Sequence, residues 1–302
     1  MSTRVPTDNF NPLHVSPEPR TVGSAVINTL RGAVIGMAEL VPGVSGGTLA
    51  LVVGIYEKAL TSANNLTKGK FKQVDWFLLG FVALGMLGVV FTMAGVMANF
   101  VENHSVYARG LFFGMVAVSI LVPILMINKA DFQRHKVPAL VTLVAVAVFM
   151  FWLSGLGSTT VGNPPLWIFF PAAAIAVCAL VLPGVSGSFL LLVMGLYTHV
   201  MDAVDQKNVA LLAVFALGAI TGLALFIKVL TWLLSSHRTL TLAAMTGFLI
   251  GSLRALWPWQ DADRNLQAPS DPIWSVVGLI LVGAALVGAL LVVEKRYGKT
   301  ND

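Results

Sequence analysis

The sequence predicts an all-α polytopic membrane protein built from two inverted-topology repeats, each with a broken, re-entrant-like helical hairpin. Three observations predict it. Hydrophobic residues make up 57% of the 302 positions and charged residues only 11%, where soluble domains carry about 25% charged residues. The charges fall in short clusters between apolar runs, several of them longer than the roughly 20 residues needed to cross a hydrocarbon core. Finally, the stretch AELVPGVSGGTLALVVGIY at 38–56 recurs without a gap as ALVLPGVSGSFLLLVMGLY at 179–197.

The elements follow in order. Residues 1–21 are polar and proline-rich (Pro6, Pro12, Pro17, Pro19) and predict a disordered cytoplasmic tail. The first apolar run contains Arg31 and Glu39 and leads into a Pro-Gly break, so no cleaved signal peptide is expected. Helix-length runs lie at about 22–41, 45–60, 74–100, 107–128, 137–156, 166–182, 186–201, 208–234, 240–257 and 272–294. They form one membrane domain, 22–294. Repeat one covers about 22–128, a linking helix 137–156, repeat two 166–257 and a final helix 272–294, before a cytoplasmic tail at 295–302. GLFFG at 110–114 extends the repeat by matching GFLIG at 247–251, each followed by a proline, Pro123 or Pro258.

Basic residues assign the sides, because cytoplasmic loops carry an excess of Lys and Arg. Lys58, Lys68, Lys70 and Lys72, then Lys129, Arg134 and Lys136, then Lys295, Arg296 and Lys299 mark cytoplasmic segments. The segment 257–272 is acidic on balance and 157–166 is uncharged, so both are placed outside. The first hairpin then enters and leaves by the cytoplasm and the second from outside, with six other segments spanning fully. That is the inverted-repeat plan of secondary transporters. Both termini are expected in the cytoplasm of a cytoplasmic (inner) membrane. Trp76, Trp152, Trp167, Trp257, Trp259 and Trp274 sit near span ends, where aromatic belts form.

The breaks carry the candidate site. Each proline ends a helix, and Gly43 or Gly184 lets the chain turn. The next helix begins at Ser45-Gly46-Gly47 or at Ser186-Gly187-Ser188. A helix N-terminus offers unpaired N–H groups and positive dipole character, and glycines let an anion come close. Two such termini could meet around one phosphate or carboxylate. Close packing by small residues is the alternative use of the same pattern. Of the charges inside apolar runs (Arg31, Glu39, Lys228 and Arg254), Glu39 stands three residues before Pro42 and faces Leu180 in the other copy. The site therefore has one carboxylate, a candidate coupling group. Arg31 suits another helix or a headgroup. Arg254 suits a phosphate contact or interfacial snorkelling equally, and Lys228 suits snorkelling.

No His/Asp/Glu cluster has metal spacing, Ser45 and Ser186 lack an adjacent base, and there is no P-loop, so neither an enzyme, a metal nor a cofactor is expected. The +5 net charge belongs to span flanks and not to nucleic acid, and the single cysteine, Cys178, reads as a small packed hydrophobe.

The doubled PGVSG, the AELVPGVSGGTLALVVGIYE run and GSLRALWPW resemble the bacterial and archaeal polyprenyl-phosphate transporter family over about 22–294. The resemblance implies translocation of undecaprenyl phosphate from the outer to the inner leaflet for reuse in cell-envelope glycan synthesis, with protons or sodium as candidate coupling ions. It also implies roles for Glu39, Ser45, Gly46, Ser186, Gly187 and Arg254. Gly47 faces Ser188 and Thr48 faces Phe189, so the two tips are not equivalent. A polyprenyl-pyrophosphate phosphatase and a small-anion transporter are the rival readings. The sequence leaves the oligomeric state open.

Overall fold

A computed structural model of the chain describes residues 20–39, 46–156, 161–261 and 264–297. Residues 1–19 and 298–302 of the expected tails, and the first break with Pro42, Gly43 and Ser45, lie outside the described residues.

The described residues form fourteen α-helices. In the first half these are α1 (Val22–Glu39), α2 (Gly46–Val52), α3 (Tyr56–Thr67), α4 (Trp76–Asn103), α5 (Ser105–Ser119), α6 (Leu121–Met126), α7 (Lys129–Arg134) and α8 (Lys136–Ser154). The second half has α9 (Phe169–Val181), α10 (Gly187–Val193), α11 (Tyr197–Asp205), α12 (Val209–Ser236), α13 (Arg238–Ser252) and α14 (Ile273–Tyr297). The lengths recur: α2 and α10 have 7 residues each, α4 and α12 have 28, and α5 and α13 have 15. One histidine joins the last pair in each half, with φ −134°, ψ 42° at His104 and φ −135°, ψ 44° at His237.

Among the described residues five stretches are long and apolar enough to cross a membrane: Trp76–Met93, Ser105–Met126, Lys136–Ser154, Val209–Ser236 and Ile273–Val292. Their outer faces carry large exposed apolar side chains such as Phe91, Val148, Ile220 and Leu281, which only lipid can solvate without cost. The sequence predicts six full spans, and the sixth, 240–257, is the one that differs. Its helix α13 stops at Ser252, and the chain continues to Trp257 through i→i+3 hydrogen bonds, from Leu253 N–H to Ile250 O through Trp257 N–H to Arg254 O. That tighter winding turns the chain into the following loop.

The runs 45–60 and 186–201 are also not single helices. Each is cut by a glycine in the left-handed region, Gly54 at φ 71° and Gly195 at φ 72°. Gly54 N–H donates to Leu51 O and Ile55 N–H to Ala50 O; Gly195 and Leu196 make the same pair of bonds to Leu192 and Leu191. This is a glycine C-cap in both copies, and it is what the repeated Gly-x-Tyr encodes.

Four helix pairs hold the bundle, each through glycines four residues apart. Gly32 and Gly36 of α1 lie on the Val82 and Met86 backbone of α4, and Gly218 and Gly222 of α12 on Phe170 and Ala174 of α9. Gly110 and Gly114 of α5 lie on Val276 and Ile280 of α14, and Gly247 and Gly251 of α13 on Leu143 and Ala147 of α8. In every pair the numbering rises together, so the helices run parallel. A methyl at Gly36 would stand 2.8 Å from the Met86 carbonyl oxygen. Lipid gives helices no hydrophobic reason to associate, so close backbone approach of this kind supplies the contact. The core joins both halves, with Ile35, Leu49, Leu78 and Phe112 packed in one cluster with Leu249 and Leu256.

Candidate functional site

The first half brings Glu39, the last residue of α1, to the start of α2. Its Oε1 accepts a hydrogen bond from the Gly46 backbone N–H at 3.0 Å. A carboxylate at a helix N-terminus is favoured by the unpaired N–H groups there. Glycine at position 46 leaves room for this contact, since a Cβ there would crowd the Glu39 carboxylate. Gly46, Gly47 and Thr48 are all buried.

The second half contributes the turn at Pro183-Gly184. Gly184 has φ 82°, a conformation that L side chains avoid. It also lies against α13, where a Cβ would stand 3.0 Å from the Leu249 nitrogen and the Phe248 carbonyl. Its N–H donates to Thr48 Oγ1 at 2.9 Å in a buried contact. Tyr56 Oη adds a second bridge by donating to the Val181 carbonyl at the end of α9, at 3.0 Å. The two broken segments therefore touch directly.

Ser186 occupies the N-cap position of α10 in an extended conformation, yet its hydroxyl does not cap the helix. It lies 3.0 Å from Ser188 Oγ instead. Gly187 lets α10 start close on α9, where a Cβ would stand 2.5 Å from the Ala176 oxygen. These residues and Glu39 line one cavity of about 270 Å³, closed elsewhere by Ala173, Ala176, Val177, Val185, Phe215 and Ala219. Among the described residues its polar side chains are one carboxylate and two hydroxyls, and the other side chains are apolar.

Of the residues singled out in the sequence, the cavity brings together Glu39, Ser186, Gly187 and Ser188. Gly46, Gly47 and Gly184 shape the two breaks behind it. Arg31 is not on the lining; its Nη1 donates to Asn28 Oδ1 at 3.0 Å, on a fully buried asparagine of the same helix. Arg254 is also away from it. Its guanidinium lies 4.6 Å above the Phe151 ring, beside Gly155 of the α8 end. Sequence reasoning notes Thr48 only as a mismatch with Phe189, not as the hydroxyl that joins the two breaks, and passes over Arg109, which stands two residues inside an apolar run. The signal for Arg109 was a charge within a span, the same signal that drew attention to Arg254. Cys178 donates to the Ala174 carbonyl of its own helix, as expected of a packed residue. Among the described residues no group of three or more His, Cys, Asp or Glu could hold a metal.

Five membrane-length helices around two short broken ones, with a mixed carboxylate and hydroxyl cavity between the breaks, define a multi-pass helical membrane protein with an internal polar site. Comparison with known proteins makes this specific. The chain belongs to the undecaprenyl phosphate translocase-like family, whose model matches residues 35–288. It is 32% identical over 244 residues to a polyprenyl-phosphate transporter of Vibrio cholerae, covering 77% of each chain. It is 30% identical over 245 residues to a polyprenyl-phosphate transporter of Staphylococcus aureus, covering 77% of this chain and 86% of that one. No solved structure matches it significantly.

Proposed function

We propose that this protein carries polyprenyl phosphate, undecaprenyl phosphate in particular, across the cytoplasmic membrane and returns it to the inner leaflet for reuse in envelope glycan synthesis. The observation that carries the reading is the shared cavity. Glu39 from one copy of the repeat and Ser186 and Ser188 from the other face the same space. Hydroxyls and glycine-flanked N–H groups suit phosphate oxygens, and the apolar remainder suits a lipid whose tail stays in the bilayer. The relatives named as polyprenyl-phosphate transporters support the substrate class.

The two halves are read as inverted repeats, entering from opposite sides with N- and C-termini in the cytoplasm. Matched helix lengths and the swapped pairing support this, since α1 with α4 answers α9 with α12, and α5 with α14 answers α13 with α8. Transport then proceeds by alternating access around the cavity. Glu39 is the coupling group. Its carboxylate takes the Gly46 N–H that a phosphate oxygen would otherwise use, so headgroup and ionised Glu39 compete for one donor. A proton on Glu39 frees that donor for the lipid, and a gradient of protons drives the cycle. Gly43 and Ser45 complete the first break, and Arg31 and Arg254 contribute positive charge outside the cavity.

The test is protein-dependent movement of a short-chain polyprenyl phosphate into the inner leaflet of proteoliposomes, with inorganic phosphate assayed on the same samples. Movement of intact lipid, lost on Ser186→Ala with Ser188→Ala, is the expected result. Release of phosphate would make the protein a phosphatase, and neither signal would point to small anions.

A further inference from the structure

A cationic feature lies at the end of the bundle where α5 and α14 begin. The loop 257–272 is tied down by its own hydrogen bonds. Trp257 Nε1 donates to Gln267 O at 3.1 Å, Trp259 Nε1 to Ser270 O at 2.7 Å, and Gln260 Nε2 to Arg254 O at 2.6 Å. Within it Arg264 is held at φ 63°, and its N–H donates to Asp261 O at 3.1 Å. A non-glycine residue in that region is uncommon and needs support from its surroundings. The outcome is a guanidinium 4.8 Å above the ring of Phe189. Phe189 is itself buried in α10, next to Ser188 of the cavity wall.

Arg109 supplies a second charge. It stands on α5 one turn before Phe113, whose ring packs edge-on at 5.9 Å against Trp257, the residue that ties the loop. Burial first, and then the Arg109 charge, hold the Arg264 guanidinium below its usual range, so the two like charges feel each other. Among the described residues no carboxylate forms an ion pair with either arginine. The nearest acidic side chain in the loop sequence that is described, Asp261, turns its carboxylate to Asn265 and Gln267. Two half-buried arginines with no ion-pair partner among the described residues, one of them fixed on an aromatic face, are matched to a doubly charged oxyanion. Guanidinium forks bind phosphate oxygens in pairs, and stacking orders the fork in advance.

We infer that Arg109 and Arg264, the latter over Phe189, form a docking site for a phosphate monoester one residue along α10 from the cavity wall, where a lipid headgroup is captured before it passes to Ser188 and Ser186. This rests on the lipid-phosphate reading above for the source of the phosphate; the chemistry of the site itself requires only the oxyanion.

The experiment is equilibrium binding to the full-length protein in nanodiscs, with two probes, inorganic phosphate and a short-chain polyprenyl phosphate. The proteins are wild type, Arg109→Gln, Arg264→Gln, Arg264→Lys and, as a control cation in an exposed turn, Lys207→Gln. Each Arg→Gln change is expected to weaken both probes roughly tenfold or more, the scale of one charge-assisted hydrogen bond. Arg264→Lys, which keeps the charge and the fold, should fall between, and Lys207→Gln should match wild type. Equal binding of polyprenyl phosphate by wild type, Arg109→Gln and Arg264→Gln would overturn the docking site and leave the transport reading standing. Arginine-dependent binding of inorganic phosphate with no binding of the lipid would uphold the site and sink the transport reading. Binding of neither probe by wild type would sink both.

Discussion

Replacing Gly184 by alanine tests whether the second break is fastened to α13 and to the first half. Two costs are legible. The backbone sits at φ 82°, where an L residue loses about 1–2 kcal/mol. The new methyl would also stand 3.0 Å from the Leu249 nitrogen and the Phe248 carbonyl carbon and oxygen. Those are backbone atoms of a packed helix, and overpacking of this kind costs about 1–3 kcal/mol. The sum is about 2–5 kcal/mol. Gly69 is the internal control, since it has φ 69° but nothing within 4 Å of its Cβ direction. Gly69→Ala therefore carries only the conformational part, about 1–2 kcal/mol. Reversible unfolding in mixed detergent micelles would compare the two, with Gly184→Ala expected to be less stable by about 1–3 kcal/mol. Thr48→Val extends the test, because it removes the acceptor of the Gly184 N–H. Its cost should shrink in the Gly184→Ala background, as contacting residues couple. Equal losses at Gly184 and Gly69 would refute the packing of the second break on α13, and strict additivity with Thr48→Val would refute the contact between the halves.

Glu39→Gln and Glu39→Ala should both reduce transport and flatten its dependence on pH, since neither can exchange a proton at the Gly46 N–H; full transport with an unchanged pH profile in both would end the coupling idea. Glu57 and Arg238 pair at 2.8 Å with each side chain about one-fifth exposed, so Arg238→Ala should cost roughly 1–3 kcal/mol in unfolding, between the surface and buried limits. The double change to Glu57→Gln with Arg238→Gln should recover part of that loss, and no recovery would mean the pair is incidental. On α4, Gly85→Ala drives a methyl into the Thr29 carbonyl of α1, whereas Gly80 and Gly88 face open space. Gly80→Ala and Gly88→Ala should be neutral or stabilising by up to about 1 kcal/mol, and Gly85→Ala should destabilise; the same sign at all three would contradict the pairing.

Much of the architecture is written plainly in the chain because lipid imposes simple demands on it. Run length and charge placement point to the elements, and the second PGVSG marks its break, since proline and glycine act locally. The 13-residue α9 ends at Val181, two residues before Pro183, as a proline requires. What the chain hides is interaction across distance. Gly110-x-x-x-Gly114 and Gly247-x-x-x-Gly251 are visible as matching pentapeptides, yet their partners on α14 and α8 lie far away in sequence. Gly54 and Gly195 look like members of an apolar run, because a left-handed cap is set by φ and not by hydropathy. The end of α13 is hidden for the same reason, as apolar residues 253–257 serve a 3₁₀ stretch as readily as an α-helix. At the site, Glu39 and Ser186 could be picked out singly. That Glu39 would occupy the first helix start, leaving the cavity to lean on the second, depends on how the two breaks meet.

The parallel glycine pairs also say what cannot move. Where α1 rests on α4 backbone to backbone, no layer of side chains lies between them to shear, and a step of one helix along the other would drive Gly32 and Gly36 off the seats that only glycine fits. Each pair is therefore expected to move as one two-rod girder, with freedom left to the joints at His104 and His237 and to the seven-residue α2 and α10. A disulfide clamped within a girder should leave transport intact, whereas one that ties α2 to the Gly184 turn should stall it. Motion in this protein is therefore expected at the joints between girders and not within them.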